Sequence, residues 1–116
     1  MPDDSLVDRL TLDIDRAPDV TVVRCSGELV LGVTNFFYDN VRELIPGTKR
    51  IVLDLTDLKH MDSMGIGTLV RLYVSAKSAG CTLELINLGK RVRELLGLTH
   101  LLDMFKACGE QGVRMP

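Results

Sequence analysis

Apolar and polar residues alternate in the first part of the chain in a way that predicts a β-hairpin. Leu10, Leu12 and Ile14 are separated by threonine and aspartate, which is the period-two pattern of a half-buried strand. Turn residues follow at positions 16–19, and a second strand is predicted from Val20 to Cys25. Because so short a connection joins neighbouring strands, the pair is predicted to be antiparallel.

The next segment predicts a loop and then a helix. Residues 26–32, Ser-Gly-Glu-Leu-Val-Leu-Gly, are interpreted as a loop, after which Thr34 or Asn35 could cap a helix. Pro46 and Gly47 would end that helix. Its apolar residues recur at helical spacing and form the predicted buried face: Val33, Phe36, Phe37, Val41, Leu44 and Ile45.

The middle of the chain predicts a buried strand and an amphipathic helix. The run from Ile51 to Leu55 has too little alternation for an exposed face, which favours a central strand. A short polar connector leads to a helix from about Ser63 to Ala79, which Gly80 would end. Its predicted buried stripe is Ile66, Leu69, Val70, Tyr73, Val74 and Ala76. Three further elements complete the order: a strand from Thr82 to Asn87 and helices from Lys90 to Gly97 and from Leu98 to Phe105.

This order of elements predicts a single α/β domain. Its four-stranded mixed sheet would have an antiparallel edge hairpin followed by parallel strands, packed by about four helices. The domain is expected to span residues 8–108. Residues 1–7 are expected to form a flexible N-terminal arm, and residues 109–116 a frayed C-terminal tail.

Composition narrows the functional classes. A net charge of −2 disfavours direct binding to nucleic acid or to an anionic membrane, which needs a basic surface. No apolar run approaches the roughly 18 to 20 residues of a membrane span, and the start is unlike a signal peptide, so a cytoplasmic location is expected. Cys25, Cys81 and Cys108 are interpreted as small buried residues. His60 and His100 are too far apart in sequence to predict a metal site.

The candidate chemistry lies at the start of the second helix, in Asp62-Ser63-Met64-Gly65. Asp and Ser are common helix caps, so one interpretation of Ser63 is purely structural. The other is a functional hydroxyl, because phosphorylation would add a charge of about −1.5 to −2 there. The positive end of the helix dipole would tolerate that charge, whereas a partner surface matched to a neutral hydroxyl would not.

Other motifs leave weaker hypotheses. Gly65-Ile66-Gly67 begins like a dinucleotide fingerprint, but Val70 occupies the place of the third glycine. A hydrolase could use Ser63 with His60 as its base, with one of three aspartates to orient it: Asp54, Asp57 or Asp62. The basic residues at 90, 91 and 93 are either a solvated helix face or a docking patch for an acidic partner.

The sequence resembles the STAS domains of bacterial anti-sigma-factor antagonists. The likeness extends from about Leu10 to Phe105 in element order. It is most specific at residues 51–55, Ile-Val-Leu-Asp-Leu, and at residues 61–69, Met-Asp-Ser-Met-Gly-Ile-Gly-Thr-Leu. Residues 97–105 are similar to the closing helix of the family.

The resemblance implies a partner-switching protein. Ser63 matches the serine that a cognate anti-sigma factor, itself a serine kinase, phosphorylates with ATP. The unphosphorylated antagonist would bind that kinase and free a sigma factor. The phosphorylated form would release the kinase until a serine phosphatase removed the phosphate. The ATP would belong to the partner, so this chain would be a binding module and substrate without a cofactor or enzyme activity of its own.

The resemblance also implies a contact surface around Ser63. It would comprise the helix start and the loop after the second strand: Asp62, Met64, Gly65, Ile66, Gly27, Glu28, Leu29 and Val30. Family members often carry an aspartate directly after Gly-Glu-Leu, where this chain has Val30. The apolar segment from Leu29 to Val33 favours the alternative, a non-switching STAS scaffold or sensor-complex subunit in which Ser63 is only a helix cap.

Overall fold

The structure is a computed structural model that describes residues 9–98. The predicted arm at residues 1–7 and tail at 109–116 lie outside the described residues, as does all but the first residue of the predicted helix at 98–105.

Four strands form one mixed sheet in the order β1-β2-β3-β4. Strand β1 pairs antiparallel with β2, and the pairs β2–β3 and β3–β4 are parallel. The predicted α/β fold with an antiparallel edge hairpin is therefore confirmed. The strands are β1 (Leu10–Asp15), β2 (Val20–Leu29), β3 (Arg50–Met61) and β4 (Thr82–Ile86).

Three α-helices occur within residues 9–98, where the sequence predicts about four for the whole domain. Helix α1 follows β2, α2 joins β3 to β4, and α3 follows β4; α1 and α2 pack against each other. Gly80 has a positive φ of 78°, as expected for the glycine that ends α2. The helices are α1 (Thr34–Arg42), α2 (Ser63–Ser78) and α3 (Lys90–Leu98), and a 3-10 turn spans Ile45–Gly47.

Two predicted connectors are strand instead. Strand β2 continues to Leu29 through the predicted loop, and β3 continues to Met61 through the predicted polar connector. The two extensions pair with each other, ending at Leu29 opposite Met61, with register shifts on the way. This mutual backbone hydrogen bonding overrides the polar composition, and the irregularities accommodate residues that fit poorly into a regular ladder.

One face of the sheet and the helices form the core. Helix α2 turns Leu69, Leu72 and Ala76 toward it, whereas Val74 is 54% exposed. Phe36 in α1 is also exposed, at 47%. The predictions that Val74 and Phe36 are buried are therefore wrong. Apolar residues occur on several sides of α2, so their spacing alone does not show which side packs on the sheet. The largest fully buried core side chains include Phe37, Val41, Val23, Ile51, Leu53, Leu55, Leu69, Leu72 and Leu85.

The described cysteines are buried, as predicted. Cys25 lies in β2 and Cys81 lies directly before β4, and both are free thiols. Burial, with a smaller contribution from the charge of Asp54, raises the pKa of Cys25 to about 12. This thiol therefore remains protonated and unreactive near neutral pH.

Candidate functional site

The candidate site lies where β2 and β3 end side by side. Because these strands are parallel and finish at paired residues, Leu29 and Met61, the segments that follow them begin at the same edge of the sheet. One is the loop at 30–33 and the other is the start of α2. The structure thus brings together the two predicted halves of the site, which are about 30 residues apart in sequence.

Asp62 joins these two segments. It is the N-cap of α2, and its Oδ1 accepts hydrogen bonds from the backbone N–H groups of Met64 at 3.0 Å and Gly65 at 3.1 Å. Its Oδ2 accepts a hydrogen bond from the N–H of Leu31 at 3.0 Å. One carboxylate therefore fixes the helix start and the neighbouring loop at once.

The environment keeps Asp62 ionised. Partial desolvation acts to raise its pKa, but the hydrogen bonds that it accepts from three backbone N–H groups outweigh this effect and lower the pKa overall. A carboxylate that accepts several N–H bonds is stabilised in its charged form. At neutral pH the site thus holds one fixed negative charge that is already hydrogen-bonded within the protein.

Ser63 is the first residue of α2, and it is exposed. Within residues 9–98 its hydroxyl makes no hydrogen bond to another residue, and the side chain that caps the helix is that of Asp62. The interpretation of Ser63 as the helix cap is therefore wrong. Its hydroxyl is free to meet a partner or an enzyme.

Two exposed apolar residues belong to the segments that meet at this site. Met64 is 48% exposed and follows Ser63 directly, while Leu31 is 63% exposed on the loop that Asp62 holds. The sequence prediction missed Leu31 as a site residue, although it noted the apolar loop. Of the apolar segment 29–33, Leu29 is buried in the core, and so is Val33, as predicted for the buried face of α1.

Three predicted contact residues are buried beneath the surface of the site. Leu29 is 1% exposed, Ile66 is 8% exposed and Gly65 is also buried. These three predicted contact residues therefore present little side-chain surface to a partner, and their contact with one stays a prediction. A Cβ on Gly65 would collide with the carbonyl oxygen of Leu29. Only glycine lets α2 begin this close to the end of β2.

The other predicted loop residues lie on or just beyond β2. Gly27 has a positive φ of 110°, and Glu28 forms an ion pair at 3.5 Å with Arg9. Both are half-buried, as is Val30. They lie at the same edge as Ser63, but their surface is more recessed than that of Leu31.

The other chemistries gain no support from residues 9–98. His60 is exposed on β3, and no hydrogen bond among these residues joins it to Ser63. Asp54, a proposed orienter, instead accepts hydrogen bonds from Thr56 and Asn87. No cluster of potential metal ligands occurs in this part of the chain, and none of its helices has the length and apolarity to cross a bilayer.

Comparison with known proteins agrees with this architecture. A family model described as the STAS domain matches residues 11–112. The anti-sigma-B factor antagonist of Bacillus subtilis (strain 168) is 26% identical over 107 residues, which cover 90% of this chain and 98% of that protein.

Two solved proteins share the fold. An anti-sigma factor antagonist from Mycobacterium paratuberculosis matches with a TM-score of 0.75 and 20% identity, covering 84% of this chain and 83% of that one. The anti-sigma factor antagonist SpoIIAA in its unphosphorylated form gives a TM-score of 0.70 at 19% identity, covering 78% and 82%. Its phosphorylated form, from Bacillus, gives 0.65 at 18% identity, covering 78% and 85%. The chain belongs to the STAS domain family, and these three relatives of it are anti-sigma factor antagonists.

Proposed function

We propose that this protein is an anti-sigma factor antagonist whose binding is switched by phosphorylation of Ser63. In its unphosphorylated form it binds a cognate anti-sigma factor that is also a serine kinase, and this binding releases a sigma factor. Phosphorylation of Ser63 ends the binding, and a serine phosphatase restores it. The switch operates in the cytoplasm between proteins, without direct contact to nucleic acid or membrane.

The observation that carries this proposal is the exposed hydroxyl of Ser63, which has no hydrogen-bond partner among residues 9–98 and stands at a helix start capped by another residue. Because Asp62 supplies the cap, modification of Ser63 removes no hydrogen bond on which the described fold depends. The chain itself contributes no catalytic group to this scheme, and the ATP is bound by the partner.

Electrostatics supplies the switch. A phosphate would place a charge of about −1.5 to −2 beside the ionised carboxylate of Asp62. The N-terminus of α2 partly offsets this charge, so the fold is expected to persist. A partner surface that fits a small neutral hydroxyl would instead have to desolvate a dianion, which opposes binding.

SpoIIAA supports the idea that this fold accommodates both states. Structures of its unphosphorylated and phosphorylated forms each match this chain with TM-scores of 0.65 or more. By analogy, we expect Ser63 phosphorylation to change surface charge more than architecture.

Phosphate transfer is the direct test. The chain is incubated with ATP and the purified serine kinase encoded nearest to its gene, and the modified residue is located by mass spectrometry. We expect phosphate on Ser63, none in the Ser63→Ala variant, and unchanged uptake in Ser78→Ala, an exposed-serine control at the far end of α2. Phosphate at another residue, or none, would refute the proposal.

Affinity for the same kinase tests the switch itself. Ser63→Asp is expected to weaken binding by about a hundredfold, or about 2.8 kcal/mol, in isothermal titration calorimetry. Ser78→Asp adds the same charge at the opposite end of the helix and should bind like the wild type. Circular dichroism should match for all three proteins.

The alternative, a constitutive STAS scaffold or sensor-complex subunit, draws on the exposure of Leu31 and Met64. Such an apolar surface could serve a permanent interface. Light scattering that shows stable self-assembly, together with no phosphate uptake from the kinase, would favour this alternative over the switch.

A further inference from the structure

Two exposed apolar residues, Leu31 and Met64, are fixed at the backbone by the carboxylate of Asp62, the residue next to Ser63. Leu31 and Met64 are on different segments, but their backbone N–H groups bind the two oxygens of the same Asp62 carboxylate, each at 3.0 Å. Both side chains project into solvent, with exposures of 63% and 48%. We refer to Leu31 and Met64 as the apolar rim of Ser63.

The segments that carry the apolar rim hold almost no charge. Residues 29–33 are Leu-Val-Leu-Gly-Val and residues 61–67 are Met-Asp-Ser-Met-Gly-Ile-Gly, so Asp62 is their one charged residue. Its carboxylate already accepts three backbone hydrogen bonds. These segments thus offer a partner little opportunity for ion pairing.

The partner that covers the apolar rim follows from the chemistry at Ser63. A kinase that transfers a phosphoryl group must bring its reacting atoms within about 3 to 3.5 Å of the serine oxygen. An active site that approaches so closely covers the neighbouring Met64, and also Leu31, which is held to the same carboxylate.

We propose that the serine kinase recognises this protein through an apolar recess that covers Leu31 and Met64, so that affinity arises from apolar burial and not from ion pairs. This inference rests on the proposed function and specifies the partner surface that the function needs. Asp62 acts here as a positioning residue, because it holds Leu31 beside the helix that carries Ser63.

Calorimetric titration of the purified kinase into four proteins tests the inference: wild type, Leu31→Ala, Met64→Ala and Val74→Ala. Val74 is a matched control, since it is 54% exposed on the same helix. It lies about 15 Å along the helix axis from Met64 at 1.5 Å per residue. Each rim variant should weaken binding about tenfold, and the control should stay within about twofold of wild type.

Salt separates the two modes of recognition. Between low and high ionic strength, wild-type affinity should change by less than about threefold, because apolar burial is not screened. The inference would be overturned if wild-type affinity fell about tenfold or more at high ionic strength. It would also be overturned if the rim variants bound the kinase as tightly as Val74→Ala does.

Mass spectrometry of Ser63 in the same samples distinguishes this failure from failure of the proposed function. If the wild type is phosphorylated at Ser63 while the rim variants bind the kinase normally, the proposal of an apolar recess is refuted and the proposed phosphorylation switch is not. If the wild type neither binds nor takes up phosphate, both ideas fall.

Discussion

The starts of α1 and α2 lie at the same edge of one sheet, but they are fixed by opposite means. Helix α1 begins after Val33, which is 4% exposed and makes no side-chain cap hydrogen bond. Helix α2 begins after Asp62, whose carboxylate binds two N–H groups of its own helix and one of the loop before α1.

This difference explains why the candidate site is on α2. An apolar anchor such as Val33 must be buried to stabilise, and it draws the adjoining backbone toward the core. A carboxylate cap satisfies the backbone groups while it stays near the surface. The residue after it, Ser63, therefore keeps an exposed hydroxyl on a firmly held backbone.

The largest loss of stability is expected from a substitution at Gly65, where the start of α2 contacts the end of β2. Gly65→Ala should lower the free energy of unfolding by about 3 kcal/mol, because the new methyl group would collide with the Leu29 carbonyl oxygen. Gly67→Ala is the matched control. Among the described residues, no atom outside its own stretch of helix lies within 4 Å of its Cβ position, so this variant should stabilise α2 by about 0.5 to 1 kcal/mol. Urea denaturation of both variants measures this difference, and equal effects would show that α2 does not need its close approach.

Removal of the apolar anchor of α1 should have the next largest effect. Val33→Ala is expected to lower the free energy of unfolding by about 2 kcal/mol, since two buried carbon atoms are lost. Thermal unfolding measures the change. A loss below about 0.5 kcal/mol would mean that packing does not fix the start of α1.

Asp62, the polar cap of α2, should contribute less to the free energy of unfolding than Val33, and its contribution should depend on pH. Asp62→Ala is expected to cost about 1 kcal/mol at pH 7, the usual value of an N-cap, whereas Thr34→Ala in uncapped α1 should cost less than about 0.5 kcal/mol. Because folding lowers the pKa of Asp62, its contribution is complete above the unfolded pKa of about 3.9 and is lost as pH falls through the lower folded value.

Denaturation of wild type and Asp62→Ala at pH 7 and pH 3 measures this dependence. The difference between the two proteins should shrink at the lower pH. A difference that stays constant, or grows, would contradict a carboxylate cap at Asp62.

Local signals predicted the order of elements well. The period-two alternation gave β1, and Gly80 marked the end of α2 because only glycine adopts its backbone conformation without strain. The pair Asp62-Ser63 marked a helix start correctly. Which of the two residues caps the helix depended on geometry, and the structure assigns the cap to Asp62.

Long-range contacts account for the differences. Residues 26–29 and 56–61 have loop-like compositions, yet they extend β2 and β3 because each strand is the hydrogen-bonding partner of the other. Leu31 could not be identified as a neighbour of the site, since the hydrogen bond that places it there joins residues 31 positions apart.

The sequence by itself therefore determined the α/β class, the mixed sheet and the helix that begins at Ser63, because those depend on periodicity and on residues close in the chain. Only the tertiary structure decided that Leu72 and not Val74 is buried, and that Leu31 and Met64 share the carboxylate of Asp62. The physical reason is that burial and shared hydrogen bonds depend on which segments meet in space, and parallel strands bring together residues far apart in the chain.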